Sequence, residues 1–156
     1  SLLDTPERRA RILLAAPYFR STTLWFAKPG VQPGDRGIRV AAVKGSAQER
    51  YARSQGWDTV AVPTNGELGQ PLMAGIAQAV IIPMNTALAL TKDKDFQALG
   101  LKSTLMKAPE LIGNASFGIN PRRPELKDAV DGALEKIKRN GVYDRINTQF
   151  LPFRVH

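Results

Sequence analysis

The sequence contains no cysteine, a single histidine and no long apolar run, and each shortage removes a class of chemistry. Without thiols there is no disulfide, no thiolate nucleophile and no thiolate metal site. The one histidine, His156, is the last residue and reads as a chain end rather than a general base. The longest apolar stretch runs over residues 79–90, is interrupted by Asn85 and Thr86, and is too short to cross a bilayer. Acidic residues are also few: 14 Asp and Glu stand against 22 Lys and Arg, a formal net charge of +8. A balance of that sign speeds encounters with acidic partners or anionic ligands. The basic residues are scattered and form no recognised nucleic-acid motif, so nucleic acid is not expected as a partner. Asp93 and Asp95 lie in a Lys-Asp-Lys-Asp run that reads as a solvated turn, and neither a nucleophile elbow nor a metal-ligand spacing is present. No enzyme, no cofactor and no metal are therefore expected.

What is present is the composition of a globular protein, 43% hydrophobic and 23% charged. A chain of 156 residues can hold one domain with a sizeable core, or one complete domain and part of another. It begins at Ser1 with neither an initiator methionine nor an apolar signal segment, which points to a processed or excised piece.

The pattern is organised around residues 38–49. An extended run over residues 38–43 meets Lys44-Gly45, after which Ser46 and Glu49 stand in the spacing of a helix capping box. The glycine permits a sharp turn, and the first helical turn leaves N–H groups without intrahelical partners, so its mouth favours an anion. A cap that serves only its own helix is the plainer reading of the same residues. Onward, residues 47–54 are expected to be helical, 59–62 a strand, 68–75 a helix, 79–82 a strand closed by Pro83, 85–90 a helix that can run on to 98, and 101–106 extended. Strands alternating with helices at this spacing imply an α/β fold with a mainly parallel sheet and right-handed crossovers. Ligands of such sheets lie beyond the carboxyl ends of the strands. Lys44, Gly45, Ser46 and Ala47 fall there, and so does Asn85 after Pro83-Met84.

Residues 4–9 read as the start of a short helix, with Asp4 or Thr5 as cap and Pro6 in the first turn. An apolar run over 12–16 is closed by Pro17 and the pair Tyr18-Phe19, and a second extended run over 22–27 enters the most turn-rich part of the chain, where a lobe boundary is expected. Residues 114–119 form a return connection. Beyond Asn120-Pro121, Leu126, Val130, Ala133, Leu134 and Ile137 recur at helical spacing as an expected inward face, while Lys127, Asp128, Asp131 and Glu135 take the other side. Asn140-Gly141 closes that helix, and a second one carries Tyr143 and Ile146 inward. The chain up to residue 30 offers these helices only one helix and one or two strands to pack on, an underbuilt lobe.

The order of these pieces matches a known family. Thr5-Pro6-Glu7-Arg8, Pro17-Tyr18-Phe19, residues 44–49, Asn120-Pro121, residues 124–130 and residues 140–146 together resemble the bacterial extracellular solute-binding proteins of family 3. These are the polar amino-acid-binding components of ABC importers, and the similarity spans essentially the whole chain. It implies a type II periplasmic-binding-protein fold whose two lobes close on a ligand at a two-strand hinge, here near residues 25–28 and 115–118. Residues 1–28 would be part of lobe 1, residues 31–112 a complete lobe 2, and residues 119–156 helices returning to lobe 1, whose earlier strands this chain lacks.

By the same resemblance, Arg8 pairs with the ligand's carboxylate, the hydroxyl and amides of Gly45-Ser46-Ala47 complete that site from the other lobe, and Ser1 adds a polar contact. A planar guanidinium suits two carboxylate oxygens. The departures bear on the ligand. The family's acidic partner for an α-ammonium falls at Pro83, and two of its hydroxyl positions are Leu3 and Ala47. An anionic or largely apolar small molecule is therefore expected in place of a standard amino acid. The resemblance further implies a periplasmic location and an ABC permease or an acidic periplasmic protein as partner, without membrane insertion. Residues 17–22 are similar to superfamily members associated with periplasmic quinoprotein dehydrogenases, which makes a non-transport accessory or sensor module the alternative.

Overall fold

The computed structural model describes residues 2–150, and the chain passes between two units after Ser21 and again after Ile112. Before the first passage come β1 (Leu2–Leu3), α1 (Pro6–Arg9), β2 (Leu13–Leu14) and β3 (Phe19–Ser21). Thr5 is extended, and its Oγ1 accepts from the Arg8 N–H at 3.3 Å, so Thr5 is the cap of α1. Asp4 instead makes a two-point ion pair with Arg9, at 2.5 and 2.6 Å.

Residues 22–112 form the second unit. It contains β4 (Thr23–Ala27), β5 (Arg39–Val43), α2 (Ala47–Ser54), β6 (Asp58–Val62), α3 (Gln70–Met73), β7 (Ala79–Pro83), α4 (Met84–Leu90), α5 (Lys94–Ala98) and β8 (Lys102–Leu105). The sheet order is β6-β5-β7-β4-β8. Four strands run the same way; β4 alone is reversed, antiparallel to β7 on one side and to β8 on the other. Apolar residues cover both faces. Phe26, Ala41, Val80 and Ile82 pack with Leu68, Leu72 and Phe96 on one side, while Trp25, Val40, Ala42 and Ile81 pack with Met106 and Leu111 on the other. Two-sided burial is the reason these strands are continuous apolar runs instead of alternating ones.

Three expectations change in this unit. Residues 22–28 do not belong with the N-terminal lobe: β4 pairs over its whole length with β7, from Thr23↔Pro83 to Ala27↔Ala79, and its side chains fill both cores. The boundary and the first crossing therefore lie at residues 21–22, and the second at 112–113. The helix expected over 85–90 is α4, and its extension to 98 is a separate helix, because Asp93 accepts from the N–H groups of Asp95 and Phe96 and starts α5 afresh. That cap aims Phe96 into the core, edge-to-face on Phe26 with centroids 5.5 Å apart. The helix expected over 68–75 shortens to α3, preceded by a 3₁₀ turn at Asn65–Glu67.

Back in the first unit come β9 (Gly113–Ser116), β10 (Gly118–Ile119), α6 (Glu125–Arg139) and α7 (Val142–Phe150). β9 lies between β1 and β3, antiparallel to both, and β10 pairs with β2. Of the five residues expected on the inward face of α6 only Leu134 is buried; Leu126 is 38% exposed, and Ile146 of α7 is 48% exposed. A helix of 15 residues is about 22 Å long, whereas the longest strand here has four residues and reaches about 13 Å. Such short strands cannot cover the stripe. Polar ties hold the helices instead: Asp131 Oδ1 accepts from Ala16 N–H at 2.5 Å, Lys138 Nζ donates to the Pro17 carbonyl at 3.1 Å, and the Tyr143 hydroxyl donates to the Tyr18 carbonyl. Asp131, expected on the solvent side, is thus half-buried.

Replacing Ile82, which is fully buried, by Ala is expected to lower stability in urea unfolding by about 2–5 kcal/mol. Leu126→Ala is expected to stay within about 0.5 kcal/mol of the native protein.

Candidate functional site

The turn after β5 is a reciprocal cap. Ser46 is extended and its Oγ accepts from the Glu49 N–H at 3.0 Å, while Glu49 Oε2 accepts from the Gly45 N–H at 2.6 Å. Gly45 adopts φ 74°, a left-handed conformation that lets the chain reverse from strand to helix within two residues. Glu49 also pairs with Arg53 at 2.9 Å, and Arg50 Nη1 donates to the Gly45 carbonyl. The Gly45 amide that the sequence offers to an anion is therefore held by Glu49. The amides left at the mouth of α2 are those of Ala47 and Gln48, in its first turn.

Gln48, which the sequence did not single out, anchors this mouth to the sheet. It is 4% exposed, and its Nε2 donates to Thr23 Oγ1 at 2.8 Å; that hydroxyl donates in turn to the Leu111 carbonyl. No local signal marks it, because its partner lies 25 residues away. Since β5 and β7 are parallel neighbours and β4 starts opposite the end of β7, residues Thr22-Thr23, Lys44–Gln48 and Pro83–Asn85 all lie at one end of the sheet. Asn85 is exposed in the first turn of α4, and Met84 N–H donates to the Thr22 carbonyl. Pro83 ends β7 and makes no side-chain cap. Glu49, the carboxylate of the turn itself, is already occupied by the cap and Arg53; Glu67, after β6, and Glu110, next to Leu111, follow the same end of the sheet.

Arg8 belongs to the other unit. Its Nη1 donates to the Leu3 carbonyl at 2.9 Å, and it has no carboxylate partner among the described residues. Its neighbour Arg9 is the one neutralised by Asp4. Ser1 lies outside the described residues.

The model of the bacterial extracellular solute-binding proteins, family 3, matches residues 1–153. The chain belongs to this family. The family 3 chain is 27% identical over 170 residues to the lysine/arginine/ornithine-binding periplasmic protein of Escherichia coli (strain K12), covering 100% of this chain and 64% of that protein. It is 24% identical over 154 residues to the ABC transporter arginine-binding protein 1 of the same organism, covering 95% and 63%. Among solved structures, an ancestral arginine-binding protein bound to glutamine superposes with a TM-score of 0.81 at 23% identity, over 97% of this chain and 69% of that one. The fold is thus type II periplasmic-binding-protein-like, and the chain spans a little under two thirds of the curated relatives it matches.

The cap has a pH signature. The Gly45 N–H first, and Arg53 second, hold the Glu49 carboxyl below its ordinary value of 4.5. A depressed folded pKa contributes stability that is fully present above the ordinary value and is lost as pH falls through the lower folded one. Thermal midpoints of the native and Glu49→Gln proteins should therefore differ most at neutral pH and converge as the pH is taken well below 4.5. A gap that stays constant through this range would show that ionised Glu49 does not hold the turn.

Proposed function

We propose that this family 3 chain is the ligand-capturing part of a periplasmic solute-binding protein that hands a small carboxylate-bearing molecule to an ABC importer. The observations that support the reading are two anion-accepting features, each seen in its own unit: the open first-turn amides of α2 beside Ser46, and an Arg8 guanidinium that no carboxylate of the described residues neutralises. A helix mouth and a planar guanidinium both select a carboxylate. Arg8, Lys44, Gly45, Ser46, Ala47 and Asn85 are the proposed contacts, with Gly45 acting through the shape of its turn because its amide serves Glu49. Ser46 contributes in the same way, as its hydroxyl is engaged with the Glu49 N–H. These groups recognise and orient; none of them is a nucleophile paired with a base, so the role is binding and not catalysis. No helix of the described residues is long and apolar enough to cross a membrane.

The ligand class departs from the amino acids that the relatives' names carry. Where an α-ammonium would need a counter-charge the chain has Pro83, and Glu49 is already committed twice. An ammonium desolvated without a partner costs several kcal/mol, roughly the whole advantage of a good carboxylate contact. A carboxylate without an ammonium avoids that cost.

Titration calorimetry on the full-length protein, with mono- and dicarboxylates run beside arginine, lysine and glutamate, tests this. Carboxylates lacking an ammonium should bind most tightly, and both Arg8→Lys and Ser46→Leu should weaken them about ten- to a hundredfold. Tighter binding of arginine or lysine would overturn the ligand class. Unchanged affinity in both variants would overturn the site.

A further inference from the structure

A cavity lies at the other end of the same sheet, where β4 finishes and β7 and β8 begin. Its volume is about 200 Å³, and its walls are Val31, Leu72, Leu99 and Leu101, with Ala77 and Gly75 behind them. α3 is followed by Gly75 at φ 70°, a left-handed conformation that ends the helix and brings the chain along the cavity wall. Val31 is held in place by its carbonyl, which accepts from Trp25 Nε1 at 3.2 Å.

The polar groups of the lining are both donors. Lys28, the residue after the end of β4, is the one charged residue of the lining. No carboxylate pairs with it among the described residues. Gln78 Oε1 is used by the Arg39 N–H at 2.7 Å, and one amide hydrogen of its Nε2 is directed at the Gly75 carbonyl at 3.4 Å, which leaves the second hydrogen to donate. An apolar wall with a cation and an amide N–H at its edge has the complement of a small amphiphilic anion.

We propose that this cavity is a second small-molecule site, distinct from the one at Ser46, which takes a short aliphatic monocarboxylate with its carboxylate on Lys28 and Gln78 and its tail against Leu72, Leu99 and Leu101. An ammonium head would meet Lys28 as a like charge, and an alcohol would leave that lysine without a counter-charge. Backbone amide NMR of the full chain titrated with hexanoate tests this directly, with hexanol and hexylammonium as controls. Hexanoate should shift the Gly75, Ala77 and Gln78 amides saturably, hexanol about tenfold more weakly, and hexylammonium without saturation. Lys28→Met, a change at an exposed side chain that leaves the leucine wall intact, should abolish the preference for hexanoate over hexanol. Equal binding of hexanoate and hexanol by the native protein, shifts that grow linearly with concentration, or saturable shifts confined to residues 44–48 would each overturn the proposal.

Discussion

Strand β4 lies between β7 and β8 with Trp25, Phe26 and Ala27 buried on alternate faces, and the architecture of residues 22–112 follows from that position. As the one reversed strand, it begins where the parallel strands end. Its first residue, Thr23, with Thr22 just before it, therefore stands beside the turns that open α2 and α4, and its last, with Lys28 just after it, stands beside the starts of β7 and β8. Thr23 binds the α2 mouth through Gln48, and Lys28 edges the cavity at the far end. One strand thus supplies polar groups to both ends of the sheet while its middle is core.

Charge is distributed by the same logic of commitment. Most of the ion pairs are exposed, as with Arg39–Asp58 and Arg123–Glu125, and such pairs contribute little to stability. They pair Arg9, Arg39, Arg53, Arg123 and Lys127, and leave Arg8 and Lys28, like other cations of the chain, without a carboxylate among the described residues. Arg8 and Arg9 are adjacent in sequence, yet Asp4 reaches only Arg9, because the geometry of α1 turns Arg8 to the Leu3 carbonyl. A net charge of +8 attracts anions to the chain as a whole.

The first unit is built differently. Its strands are short, and α6 and α7 are secured by hydrogen bonds that Lys138 and Tyr143 donate to the backbone at residues 17 and 18 and that Asp131 accepts from the Ala16 N–H. Tyr18 stacks on Phe117 with centroids 4.6 Å apart, so the aromatic pair and the polar ties meet on the same stretch of chain. Buried area is limited there, and specific hydrogen bonds define where the helices lie.

Much of this was legible in the residues. The caps at Thr5 and Ser46, the helix of residues 47–54, the alternation of strands and helices and the family's motif order depend on partners within a few positions, and such chemistry is printed in the sequence. The candidate turn at Lys44-Gly45-Ser46 could be found for the same reason. The tertiary structure decided what depends on partners far along the chain: that β4 pairs with β7 and so belongs to the second unit, that Gln48 reaches Thr23 across 25 positions, that Asp131 faces Ala16 across 115, and that the Gly45 amide is spent on its own helix. Periodicity states which face of a helix is apolar; whether anything is there to cover it depends on strand length and pairing, and for Leu126 and Ile146 the strands were too short.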